Sequence, residues 1–223
     1  MSERRDEILK VAKRLFAERG YADTSMRDIA QATGVLAGSL YAHFRSKAQL
    51  VGEIVMAFYD ELIPVQEAAM VAGGTGAQRL GEMLERVLVV CAAHRDELTI
   101  LHYDWQSLST IDELKDIQDR STQTLNVWQA VVAEGIADGS IKATVNPDLL
   151  MRVITSSIHG ILDPIRYRGR SRGRGPSAHD LAAFLQLVVL DGVASATLPP
   201  RKNGSRPSAP AKVVTPSRGR RQS

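Results

Sequence analysis

Four amphipathic segments crowded into residues 4–63 constrain this chain more than any other feature. In the first, RRDEILKVAKRLFAERG, Ile8, Leu9, Ala12, Leu15 and Phe16 recur at three- and four-residue steps. That is the period of a helix with one apolar face, and Gly20 closes it. The second, DTSMRDIAQATG, opens on Thr24 or Ser25 as cap. Ser25 and Asp28 have capping-box spacing, and Gly34 ends a helix of about two turns. GVLAGSLYAHF follows with almost no linker. Then SKAQLVGEIVMAFYDELI opens on Ser46 with Gln49 and runs to Pro64. Helices this short are marginal alone and need one another's apolar faces.

The same period continues through the chain. AQRLGEMLERVLVVCAAH sets Leu80, Met83, Leu84, Val87, Val90 and Cys91 on a wide apolar face, and ELTILHYDWQSL is short and aromatic. IDELKDIQDRSTQTLNVWQAVVAEGIADG reads as one long helix with Leu114, Ile117, Leu125, Trp128 and Val132 on a stripe that turns polar at Ser121. NPDLLMRVITSSIHGILDPI begins with Asn146 as cap and Pro147 at the first position, and SAHDLAAFLQLVVLDGVAS is the last helix. With no strand-like alternation and no repeat, the expected fold is all-α, with about nine helices. RYRGRSRGRG, with arginines at 166, 168, 170, 172 and 174, and the Pro-, Ser- and Arg-rich residues 199–223 read as loop and tail.

Charge is divided unevenly. Residues 1–50 carry +3, residues 51–165 carry −10, and residues 199–223 carry +7. Only part of such a chain suits a polyanion, and an acidic centre disfavours a protein that wraps DNA. The opening MSERRDEILK lacks the apolar stretch of a secretory signal, and no apolar run reaches the roughly 20 residues of a membrane helix. The single Cys91 excludes an internal disulfide. A cytoplasmic location without membrane contact is therefore expected.

A supporting helix, a short helix, a tight turn and a second short helix make a helix-turn-helix unit. Its second helix, residues 36–44, is built for close approach. Ala37, Gly38 and Ser39 are small, although glycine weakens a helix and small residues bury little. In such a unit that face meets base edges in the major groove. Leu40 and Phe44 are expected to turn inward onto Leu15, Phe16 and Ile29. Tyr41 and His43 can reach phosphates, and Lys47 adds a cation at the start of the next helix.

The stretch FAERGYADTSMRDIAQATGVLAGSLYAHFRSKAQL resembles the DNA-binding half of the TetR family of bacterial repressors, over roughly residues 4–55. The landmarks are F-x-x-x-G, the Thr-Ser cap, R-D-I-A, G-V, G-S-L-Y-x-H-F and S-K. The resemblance implies DNA contacts from Thr24, Ser25, Ser39, Tyr41, His43 and Lys47, with Arg27 of the R-D-I-A landmark a further candidate. Leu36 stands where the family usually has serine, and Ala37 where it often has a longer polar residue. The recognition helix thus lacks its usual cap, and Leu36, Ala37 and Gly38 offer apolar contacts, such as to thymine methyls. L-x-G-S-L-Y-x-H-F is similar to the KstR-type regulators of steroid and acyl-CoA breakdown.

The resemblance also implies residues 1–48 as DNA-binding domain, residues 49–198 as ligand-binding and dimerisation domain, and residues 199–223 as a basic tail. A ligand is expected to tilt the fourth helix, residues 46–63. Polar and aromatic groups on apolar helices nominate a pocket: Met83, Val87, His102, Tyr103, Trp105, Gln106, Ser121, Leu125, Trp128, Ser156 and His159. The last two helices, residues 147–165 and 177–197, are expected to pair two copies through Leu150, Ile154, Ile158, Leu181, Leu185, Val188 and Gly192. The expected partners are a palindromic operator, a second copy and a small hydrophobic effector, acyl-CoA-like first and drug-like second. A DNA-binding protein without effector stays open as the alternative. No nucleophile elbow, phosphate loop or H-E-x-x-H motif points to an enzyme, and no cofactor is expected. Cys91 and His94 share a helix face without a second such pair, so no metal is expected.

Overall fold

The computed structural model describes residues 3–162 and 177–191. The arginine-rich loop 166–174, Gly192 and the tail 199–223 lie outside them. Among the described residues the fold is all-α, as the periodicity predicts, with no strand.

Helices α1 (Glu3–Arg19), α2 (Met26–Thr33) and α3 (Ala37–His43) come first. The Ser25 capping box forms: its Oγ accepts from Asp28 N, and Asp28 Oδ2 accepts from Ser25 N at 2.8 Å. Gly34 ends α2 at φ 67°, a left-handed conformation that any Cβ would strain, and Val35 N then donates to Ala30 O. Ile8, Phe16, Ile29, Leu40 and Phe44 meet in a core closed to solvent. They fix α3 against α1 and α2.

Helix α4 spans Lys47–Met70 and runs on past Pro64, where the sequence predicts its end. Proline removes one N–H, but Leu62, Ile63, Gln66 and Ala69 on either side of it are buried. Packing against α5 and α7 holds the helix through the missing bond. The next elements are α5 (Gly76–Ala93) and α6 (Arg95–Leu108). The expected single long helix from residue 111 instead begins as a 3₁₀ turn, Asp112–Leu114, and continues as α7 (Lys115–Ala137). Helix α8 covers Pro147–Leu162. The last, α9 (Ala178–Gln186), passes into a π-helical turn, Leu187–Asp191.

The start of α5 crosses the end of α7 at two glycines, where a Cβ on Gly76 would overlap the backbone of Gly135. Gly76 N donates to Asp138 Oδ2 at 2.7 Å and Ala77 N to Ser140 Oγ at 3.0 Å, locking the crossing.

Candidate nucleic-acid interface and effector cavity

The outer face of α3 is small and open. Ala37, Gly38 and Ser39 are exposed, Leu36 is 83% exposed and Tyr41 55%. Leu36 occupies the N-cap position without a side-chain hydrogen bond, as its residue type requires. A Cβ at Gly38 would meet nothing within 4 Å, so no internal contact demands glycine there. Gly38→Ala is expected to stabilise the free protein by about 0.5–1 kcal/mol, the helix cost of glycine. It should also weaken binding to a cognate DNA fragment by about tenfold or more, one decade being 1.4 kcal/mol. Thermal melting and fluorescence anisotropy read the two effects. Unchanged affinity would remove α3 from the groove.

Flanking groups are more divided. Ser25 and Arg27 are exposed at the start of α2, and His43 is half-buried. Thr24, expected to contact DNA, is instead fully buried, its hydroxyl donating to Leu15 O at 3.3 Å and Gly20 O at 2.9 Å. It holds the α1–α2 turn and has no surface to offer DNA. Lys47 also turns inward, donating to Tyr21 O at 2.6 Å and lying 4.2 Å over the Tyr21 ring. Burial lowers its pKa, against the pull of Asp104 and Asp23. Arg45 is exposed just beyond α3, a cation that no local spacing pattern singles out.

Behind this unit, α4 to α8 line a cavity of about 330 Å³, within the range of small-molecule sites. Its wall includes Val87, His102, Trp105, Ser121, Leu125, Trp128 and His159 from the nominated set, together with Phe58, Tyr59, Leu62, Gln66, Cys91 and Thr124. A second chamber of about 250 Å³ adds Tyr103, Ser156 and Arg95, and His102 and His159 border both. Two nominated residues do not line either chamber. Met83 is fully buried in the core, and Gln106 is exposed. Both share the period of true wall residues, which is why spacing could not separate them.

The electrostatics of the cavity are mild. Burial pushes the Tyr59 phenol up to about 12, opposed by a hydrogen bond with Ser121, and burial pushes the Cys91 thiol to about 12. Such a thiol is inert at neutral pH. The His102 and His159 rings stack at 4.8 Å. Burial, then His102, lowers the His159 pKa, although the Thr155 carbonyl opposes it. Neutral His159 donates from Nδ1 to Thr155 O at 2.7 Å, which leaves Nε2 as an acceptor. His94 does not pair with Cys91: its ring nitrogens face Glu97 and Glu61, each at 3.0 Å.

Helix α6, like α4, touches both regions. It lines the cavity with Leu98, Leu101, His102 and Trp105. Its Asp104 accepts from Tyr21 N at 2.9 Å, and its Glu97 accepts from Lys13 Nζ at 2.8 Å. Tyr21 lies in the turn that carries α1 into α2.

Two family models match the chain: bacterial regulatory proteins of the tetR family over residues 8–54, and tetracyclin repressor-like C-terminal domains over residues 73–172. The HTH-type transcriptional repressor KstR2 of Mycobacterium tuberculosis is 32% identical over 154 residues, covering 69% of this chain and 77% of that repressor. The chain belongs to the TetR family. It is a helix-turn-helix transcriptional regulator. The structure of the ketosteroid transcriptional regulator KstR2 of the same organism superposes with a TM-score of 0.75 at 29% identity, covering 86% of this chain and 95% of that one. The TetR fold is shared as well with AibR, solved in complex with isovaleryl coenzyme A and operator DNA, at a TM-score of 0.70 and 21% identity over 84% of this chain and 98% of that one.

The two segments expected from the sequence to pair two copies are helical over α8 and α9, but the residues nominated on them do not all face outward. Ile154, Ile158 and Leu185 are buried within the chain, while Leu150, Leu181 and Val188 are half-buried. Leu149, Val153, Phe184 and Leu187 are exposed instead. Both helices are apolar on more than one stripe, so sequence could not tell the inward face from the outward one.

Proposed function

We propose that this regulator is a cytoplasmic, non-enzymatic repressor that binds a palindromic operator as a homodimer and is released by a small, largely apolar effector. The reading rests on one observation: α6 forms part of the cavity wall and holds the α1–α2 turn through Asp104. A body entering the cavity displaces α6, and the displaced carboxylate carries the helix-turn-helix with it. This route supplements the expected tilt of α4, which lines the cavity with Phe58, Tyr59 and Leu62. Only an effector that binds the two arrangements unequally can shift them.

The similarity to KstR2 and the apolar cavity support a lipid-derived or acyl-CoA-like effector. Arg95 lies at the smaller chamber, and its guanidinium, which has no hydrogen-bond partner among the described residues, would meet the anionic end. Residues 1–48 and 49–198 are proposed as reading and sensing halves. Pairing is proposed through the outward stripe of α8 and α9, because one seven-residue recognition helix contacts too little DNA and half-sites lie about 34 Å apart.

The test is operator anisotropy with an acyl-CoA series, on the wild type and on Asp104→Ala. The wild type should release DNA with at least one member. Asp104→Ala should bind the operator but lose about fivefold or more of the effector's influence, the low end of ordinary coupling energies. Full release by the variant would reject the α6 route. A series that binds in the cavity and releases nothing would reject effector control.

A further inference from the structure

The larger chamber contains polar atoms with nothing to bond. Gln66, on α4, is fully buried, and neither its Oε1 nor its Nε2 has a hydrogen-bond partner. Thr124 Oγ1, on α7, is likewise buried and unpartnered. Both residues line the larger chamber and neither lines the smaller one. Buried amides and hydroxyls are nearly always satisfied, because an orphaned one forfeits its bond to water. Two such groups on facing helices of one cavity mark a place where a ligand supplies the missing bonds.

The wall around them specifies what kind. It consists of apolar and aromatic side chains, Ser121, Thr155 and the two imidazoles; among the described residues no lysine, arginine, aspartate or glutamate lines this chamber. A carboxylate or phosphate beside Gln66 would be buried without a counter-charge, which is prohibitive. A neutral oxygen meets no such barrier. A carbonyl can accept from Gln66 Nε2 or Thr124 Oγ1, and a hydroxyl can in addition donate to Gln66 Oε1. Pure hydrocarbon would leave all three atoms unpaired.

We infer that Gln66 and Thr124 are specificity-determining residues that select an effector carrying a neutral carbonyl or hydroxyl oxygen at the buried end of an apolar body. The inference rests on the cavity being the effector site. It assigns the orientation as well: the oxygenated apolar end enters the larger chamber, and any charged end stays toward Arg95. A simple saturated acyl chain, which has no oxygen at its far end, is a poor fit. The broad rings of Trp105, Trp128 and Phe58 in the wall suit a cyclic body.

The test uses a matched pair of small bicyclic probes, 2-tetralone and tetralin, which differ in one ketone oxygen. Trp105 and Trp128 line the chamber, so their fluorescence reports occupancy in the full chain. The wild type should bind 2-tetralone at least about tenfold more tightly than tetralin, because a site built around a hydrogen bond rejects the analogue that lacks it. Gln66→Leu, and independently Thr124→Val, should each narrow that ratio mainly by weakening the ketone; either variant suffices if the other does not fold. Equal affinity of the two probes for the wild type overturns the inference while leaving the cavity as the effector site. So does a ratio that both folded variants preserve. If neither probe alters the fluorescence, the cavity does not take ligands of this size, and the effector reading falls with the inference.

Discussion

Gly76→Ala is expected to destabilise the protein by about 3 kcal/mol or more, the upper end of overpacking effects. The added methyl meets backbone Cα and N of Gly135, and backbone cannot swing aside as a flexible side chain can. Gly135 has no room to retreat, because its own Cβ position lies 2.5 Å from Ile141 Cδ1. Relief therefore requires α5 and α7 to separate, which strains the bonds from Gly76 N and Ala77 N to the Asp138 and Ser140 side chains. A melting temperature lower by about 6–12 °C follows for a chain of this size. Gly73→Ala is the control, since its Cβ would stand in open space. Equal urea midpoints for the two variants would show that the crossing is looser than described.

Joint substitution Val153→Glu and Phe184→Glu is expected to yield a folded monomer with operator affinity reduced about 100-fold or more. Val153 is 53% exposed and Phe184 61%, on α8 and α9, so the glutamates disturb no internal packing. Brought together across a twofold axis, they would set like charges against each other in an apolar contact. The loss on DNA is large because two linked recognition helices engage their half-sites as one event, and linkage of this kind contributes 10²–10⁴ in affinity. Sedimentation gives the mass and anisotropy the affinity, with circular dichroism as the check on folding. A variant that stays dimeric would move the interface elsewhere. One that turns monomeric yet binds operator at wild-type strength would dissociate pairing from recognition.

The helix-turn-helix was legible because its signals are local. Ser25 with Asp28, Gly34, and the small residues at 37–39 between Val35 and Leu40 each act within one turn of chain, and each stands where spacing placed it. Where a residue's role depended on distant partners, legibility failed. Thr24 has the residue type of a phosphate contact but lies under the α1–α2 turn. Pro64 looks like a terminator, yet its helix continues because α5 and α7 cover both flanks. Gln66 attracted no notice as one glutamine among many polar residues. Its isolation exists only once α4 and α7 close around the cavity.

The sequence by itself determined an all-α chain, the order of its helices and the small residues that α3 leaves exposed. Those follow from period, caps and side-chain size, which are properties of neighbours along the chain. Tertiary structure alone decided which stripe of α8 and α9 faces outward, which residues bound the cavity, and that α6 joins cavity to reading head through Asp104. Helix rotation and helix crossing come from packing among segments far apart in sequence, and a helical period is the same whichever way the helix is turned.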